Sequence, residues 1–146
     1  MNIRLSSING NTMENNRVIY ISECFDRPFM KGVVAGCAFV TANVTTKEPW
    51  EKIRVLDFLI ESPKLSVFDA MDIIQTFGDY FYALVDNPLD GVGLIFMTMS
   101  NVSTKRYVVK SMIAEIERIV ALSGFNDHHE KHALRTISEI MKTKQL

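Results

Sequence analysis

"RPFMKGVVAGCAFVTANV", residues 27–44, decides how the rest of the chain must be read. It is the longest apolar run, and it carries Gly32, Ala35, Gly36, Cys37 and Ala38 within seven residues. A bilayer span needs about 20 apolar residues. This run is shorter, is interrupted by Lys31 and is rich in Gly and Ala, so the reading is a helix of a soluble core. Asp26 can cap it and Pro28 fits its first turn. Its small residues make it thin, so another helix can approach closely. Each Gly costs nearly 1 kcal/mol relative to Ala in a helix, roughly, and only tertiary packing can offset that.

Outward from this helix, the chain continues as helix upon helix. "TTKEPWEKIRVLDFLIES" (45–62) starts a second, with Pro49 in its first turn and Ile53, Leu56, Leu59 and Ile60 on one apolar face. "SPKLSVFDAMDIIQTFGDYFYALVDN" (62–87) places Ser66 and Asp69 in a capping-box arrangement. Phe68, Met71, Ile74, Phe77 (or Gly78), Phe81 and Leu84 follow at helical spacing, and Asp86-Asn87-Pro88 breaks the run. "LDGVGLIFMTMSNV" (89–102) supplies a shorter helix. "KRYVVKSMIAEIERIVALSG" (105–124) turns Val109, Met112, Ile113, Ile116, Ile119 and Val120 inward and stops at Gly124. The last helix begins at Asp127, with Glu130 completing a second capping box, and buries Leu134, Ile137 and Met141.

No segment between 28 and 146 alternates like a strand, so the expected fold is all-α: a single compact bundle of about six to seven helices. Residues 1–16 are polar and read as a mobile N-terminal tail, leaving 17–146 as the helical domain. "RVIYISECF" (17–25) is too short to separate strand from helix. At 146 residues one domain suffices. A net charge of −1 without blocks of like charge gives no footprint for nucleic acid. Cys24 and Cys37 both lie in apolar surroundings, which suits reduced thiols in a cytoplasm rather than a disulfide framework. No secretory leader opens the chain, and the expected protein is soluble.

The stretch closest to chemistry is "NDHHEKHALRT" (126–136). A zinc peptidase needs two His at i and i+4 with Glu at i+1. His128 and His132 have that spacing, but Glu130 sits at i+2, about 200° around a helix of 3.6 residues per turn. His129 and His132 could share a metal, with no glutamate placed as base. The favoured reading is a solvated first turn in which Asp127 and Glu130 serve the helix N-terminus. There is no G-x-G-x-x-G after a strand, no phosphate-loop motif and no nucleophile elbow, and "DGVG" at 90–93 lies within an apolar helix. Cys37 reads as core. The aromatic group Phe77, Tyr80, Phe81 and Tyr82 reads mostly as core, with ligand or partner binding as its alternative.

Two phrases carry a resemblance. Phe29 to Ala38, F-M-x-G-x-V-A-x-C-A, and Phe58 to Phe68, F-L-x-x-S-P-x-L-S-V-F, are close to the wording of the TerB family of tellurite-resistance proteins. The resemblance covers about residues 28–145 and is weaker after 77. It implies an all-helical fold with pseudo-repeated helix pairs, 28–43/48–61 and 105–123/127–143. It also implies two acidic loops that hold a cation, a divalent one such as Ca²⁺ given clustered carboxylates. Both loops depart from the family pattern. In "TANVTTKEPWEK" Thr45-Thr46 replace the first Asp-Gly, while Glu51 survives with Glu48 nearby. "LSGFNDHHEKH" is one residue shorter and retains Asp127 and Glu130, flanked by His128 and His129. The implied metal ligands are therefore Glu48, Glu51, Asp127 and Glu130, with His128 and His129 able to shift a residual site towards zinc, copper or nickel. Loops that only cap helices are the competing reading.

The implied function is non-enzymatic: an accessory protein of tellurite resistance or stress response, also tied in the family to phage and colicin resistance. Its implied partners are other Ter-system proteins, including a membrane-spanning one. The implied location is the cytoplasm, peripheral to the inner membrane through that partner. The alternative is a diverged plasmid- or phage-borne helical adaptor that binds another protein without metal.

Overall fold

Asp26 starts the first helix. Its carboxylate accepts the Phe29 backbone N–H at 3.1 Å and its carbonyl accepts the Met30 N–H at 3.0 Å. The computed structural model describes residues 25–43, 49–124 and 128–144. Among them are six α-helices and one 3₁₀ turn, and no strand. They are α1 (Arg27–Asn43), α2 (Pro49–Ile60), the 3₁₀ turn Pro63–Leu65, α3 (Ala70–Asp86), α4 (Pro88–Ser100), α5 (Arg106–Leu122) and α6 (His128–Lys144). The expected tail, the segment 17–24 and Cys24 lie outside the described residues.

α1 is the axis of the bundle. All five other helices contact it, and from Phe29 to Thr41 only Lys31 is not buried. Its small residues are what make this sheath possible. A Cβ on Gly32 would collide with Val102 and Met112, and one on Gly36 with Ile116 of α5. The packing that the glycines permit offsets their helix penalty, since interiors tolerate few voids. A rim of Phe39 against Phe96, ring centroids 5.2 Å apart and nearly perpendicular, joins α1 to α4.

The second half follows its periodicity. Val109, Met112, Ile116, Ile119 and Val120 are buried on α5, and Ile113 is half-buried. Gly124 ends the helix at φ 81°, a left-handed conformation that favours glycine. On α6 the buried apolar residues are Ala133, Ile137 and Met141, with Leu134 half-buried.

Three local expectations are corrected. Ser66 and Asp69 form no capping box: Pro63 opens a 3₁₀ turn that Ser66 closes, which delays α3 to Ala70 with Asp69 as an N-cap lacking a side-chain bond. On α2 the inward residues are Val55 and Leu59, while Ile53 faces out. On α3 the core side is Ile73, Thr76, Phe77, Tyr80 and Leu84, while Met71 and Ile74 are exposed. α3 is apolar over more than half its circumference, with Asp72, Gln75, Thr76, Asp79 and Asp86 on the rest, so spacing alone admits either stripe.

Candidate functional site

The start of α2 meets the end of α5. Arg54, one turn into α2, donates from Nη1 to the Ser123 carbonyl at 3.1 Å, at the end of α5. Its guanidinium also lies beside Gly124. Glu51 is the third residue of α2. The side chains of Glu51 and His128, and the whole of Glu48 and Asp127, lie outside the described residues. His129 is half-buried and His132 exposed. Glu130, expected in a solvated first turn, is buried instead. The reason is its register: it lies three and seven residues before Ala133 and Ile137, on the inward stripe of α6. Among the described residues no three His, Cys, Asp or Glu side chains converge as a metal set.

A polar hub lies deeper. Glu115, on α5, is buried with 2% exposure between the apolar positions Met112 and Ile119. Ser62 Oγ donates to its Oε2 at 2.6 Å, and Arg118 Nε donates to Oε1 at 3.1 Å. Lys64 Nζ stands 3.9 Å from Oε1. Burial alone would raise the Glu115 carboxyl. The hydrogen bonds from Arg118 and Ser62, with the charges of Arg118 and Lys64, outweigh it and hold the group below its ordinary range. The hub fixes the Ser62-Pro63 turn that links α2 to α3, and so ties one of the two phrases quoted above to the middle of α5. Nothing in it presents a reactive group. Burial, and then the nearby Glu115 charge, push the Cys37 thiol far above its ordinary value, which disfavours its thiolate.

A surface groove of about 380 Å³ lies between α1, α3 and α4, with Lys31, Gln75, Asp79, Tyr80 and Leu94 on its walls. At one end Arg27 grips Asp72 through two bonds of 2.6 and 3.0 Å. That fork holds the start of α1 against the start of α3.

The feature that sequence periodicity misassigned is the outer face of α3. Met71 (71% exposed), Ile74, Tyr82 (55%) and Val85 (56%) stand in solvent in one row with Gly78. At 100° per residue these five positions fall within an arc of about 80°. A Cβ on Gly78 would meet only Tyr82, at 4.0 Å, so the centre of the row is open. Phe81 borders one side, where Lys52 of α2 lies over the Phe81 and Tyr82 rings at 4.9 and 5.4 Å. Asp79 and Asp86 border the other side, both exposed, and neither has an ion-pair partner among the described residues. Of the four aromatics read as mostly core, Phe77 and Tyr80 are buried, Phe81 is half-buried and Tyr82 is exposed. The width of the apolar arc on α3 is the signal, because an arc broader than the core-facing stripe leaves apolar residues outside the core.

Comparison with protein-family models, with curated proteins and with solved structures found no match to this chain.

Proposed function

We propose that the protein is a TerB-like, non-enzymatic accessory module of a tellurite-resistance or stress-response system, working by protein contact with weak or lost divalent-cation binding. The observation that carries the reading is the row Met71, Ile74, Gly78, Tyr82 and Val85. It sits on a helix whose opposite side already fills the core. Exposed apolar residues standing singly are normal; a contiguous row along one helix marks an interaction surface. The resembling phrases give support of a different kind. Phe29 to Ala38 forms the axial helix, and Phe58 to Phe68 contains the turn held by Glu115. The proposed partners are other Ter-system proteins, including a membrane-spanning one. The proposed location is the cytoplasm, at the inner membrane through that partner. Among the described residues no helix is long and apolar enough to cross a membrane.

The second reading, a diverged plasmid- or phage-borne adaptor without metal, is favoured by Arg54. Its guanidinium lies at the junction of α2 with the end of α5, where it meets the Ser123 carbonyl and Gly124. A fixed positive charge there disfavours a divalent ion close by.

The test is genetic replacement. In a tellurite-resistant bacterium, this chain is put in place of the resident TerB protein and growth is scored on tellurite. The proposal expects resistance with the wild-type chain and its loss with Met71→Glu/Val85→Glu. A folded, accumulating wild-type chain that gives no resistance would reject the TerB-like role and leave the adaptor reading.

A further inference from the structure

We infer that the outer face of α3 receives a cationic amphipathic helix of another protein, with Lys or Arg along one edge of its apolar stripe. This rests on the reading of the protein as an interaction module and names the chemistry of its partner. Three observations carry it. The row Met71, Ile74, Gly78, Tyr82 and Val85 follows steps of three and four residues, the spacing at which one helix seats the knobs of another. Gly78 leaves room at the middle of the row, so an incoming helix can approach closely there. Asp79 and Asp86, seven residues and about 10 Å apart along the axis, line one edge of that row.

The carboxylates select the occupant. α3 contains no Lys, Arg or His, so a second copy laid parallel along it offers this edge the single Lys52 that borders its own row, one cation against two carboxylates. An antiparallel copy would set Asp79 and Asp86 against their own counterparts. An anionic membrane surface meets the same repulsion. A helix with cations seven residues apart pairs with both carboxylates while its apolar stripe covers the row, and the charges set orientation as well as affinity.

The probe is a pair of fluorescein-labelled 18-residue helical peptides, both with Leu at the apolar heptad positions, one flanked by Lys and the other by Glu. Anisotropy titration at low salt should give at least tenfold tighter binding of the Lys peptide, a gap that narrows as salt is added. Asp79→Lys/Asp86→Lys should reverse the preference. Gly78→Glu and Met71→Glu should abolish binding without lowering the melting temperature, since neither position is in the core. Equal affinity for both peptides, still abolished by Gly78→Glu, would overturn the cationic partner and leave the interaction face standing. Binding insensitive to Gly78→Glu and Met71→Glu, or none at all, would overturn both. A dimer in sedimentation that Met71→Glu dissociates, or Met71-dependent co-sedimentation with phosphatidylglycerol vesicles, would replace the inferred occupant.

Discussion

The Ser62 hydroxyl donates to Glu115 Oε2 at 2.6 Å, joining two residues 53 positions apart in the chain. One is the residue before Pro63 in the turn after α2; the other is the buried middle of α5. The bond anchors the turn from which the chain re-enters the bundle as α3.

Glu115→Gln should cost about 1–3 kcal/mol in urea unfolding, because a buried charged acceptor with two side-chain donors is replaced. Ser62→Ala should cost about 1–2 kcal/mol, and the double variant should cost less than the sum of the two. Strict additivity would show that the bond contributes nothing. The carboxyl is held below its ordinary 4.5, so its contribution is complete above that pH and is lost as pH falls through the lowered folded value. From about pH 5 to about pH 3, wild-type stability should therefore fall more steeply than that of Glu115→Gln. Parallel declines would contradict the hub.

The glycines should divide by what surrounds them. A Cβ at Gly91 would come within 2.8 Å of the Ala83 carbonyl oxygen and Leu84 Cα, backbone atoms that cannot step aside. Gly91→Ala should destabilise by about 1–3 kcal/mol as α3 and α4 are pushed apart. Gly93 has nothing within 4 Å and Gly78 only Tyr82, so Ala at either should stabilise by about 0.5–1 kcal/mol. Equal responses at 91 and 93 in thermal melting would refute the close approach.

Helix positions were legible because caps and breakers are local. Asp26, Pro49, Pro88 and Gly124 stand at or beside the boundaries that their chemistry implied. The axial role of α1 was legible in outline from its small residues. Facing was harder. On α3 both the 71/74/78/82/85 and 73/77/80/84 sets are apolar, and the choice rests on non-local packing against the other helices. Glu130 reads as part of a solvated first turn, and Glu115 carries no sequence signal of its own, although each falls on the inward register of its helix. Charge type outweighed position in that reading, and in the fold position wins.

Cys37 should be modified by a thiol reagent only as fast as the bundle opens. It is wholly buried on the axial helix and its thiolate is strongly disfavoured. Labelling under native conditions should accelerate with urea in step with unfolding. Rapid labelling without denaturant would place Cys37 at an accessible site and revive direct thiol chemistry with tellurite.

Calcium should leave the melting temperature unchanged, and zinc or nickel should raise it at most slightly, through His128, His129 or His132. Binding to the folded state alone stabilises by mass action, by about 2.7 kcal/mol at a hundred times the dissociation constant. A calcium shift of that size abolished by Glu51→Gln or Asp127→Asn would restore the cation-binding function. If the acidic residues only cap, Asp127→Asn should be nearly neutral and Asp127→Ala should cost about 0.5–2 kcal/mol.

The central claim is that function resides on the outer face of α3 and not at the acidic loops. The most direct measurement is amide chemical-shift mapping of the ¹⁵N-labelled protein titrated with the Lys-flanked peptide. The predicted perturbations run along α3 through Met71, Ile74, Gly78, Tyr82 and Val85, with Asp79 and Asp86 on one flank, while the α5–α6 junction stays still. Perturbations centred instead on Glu51, Arg54, Ser123 and His129 would contradict the account.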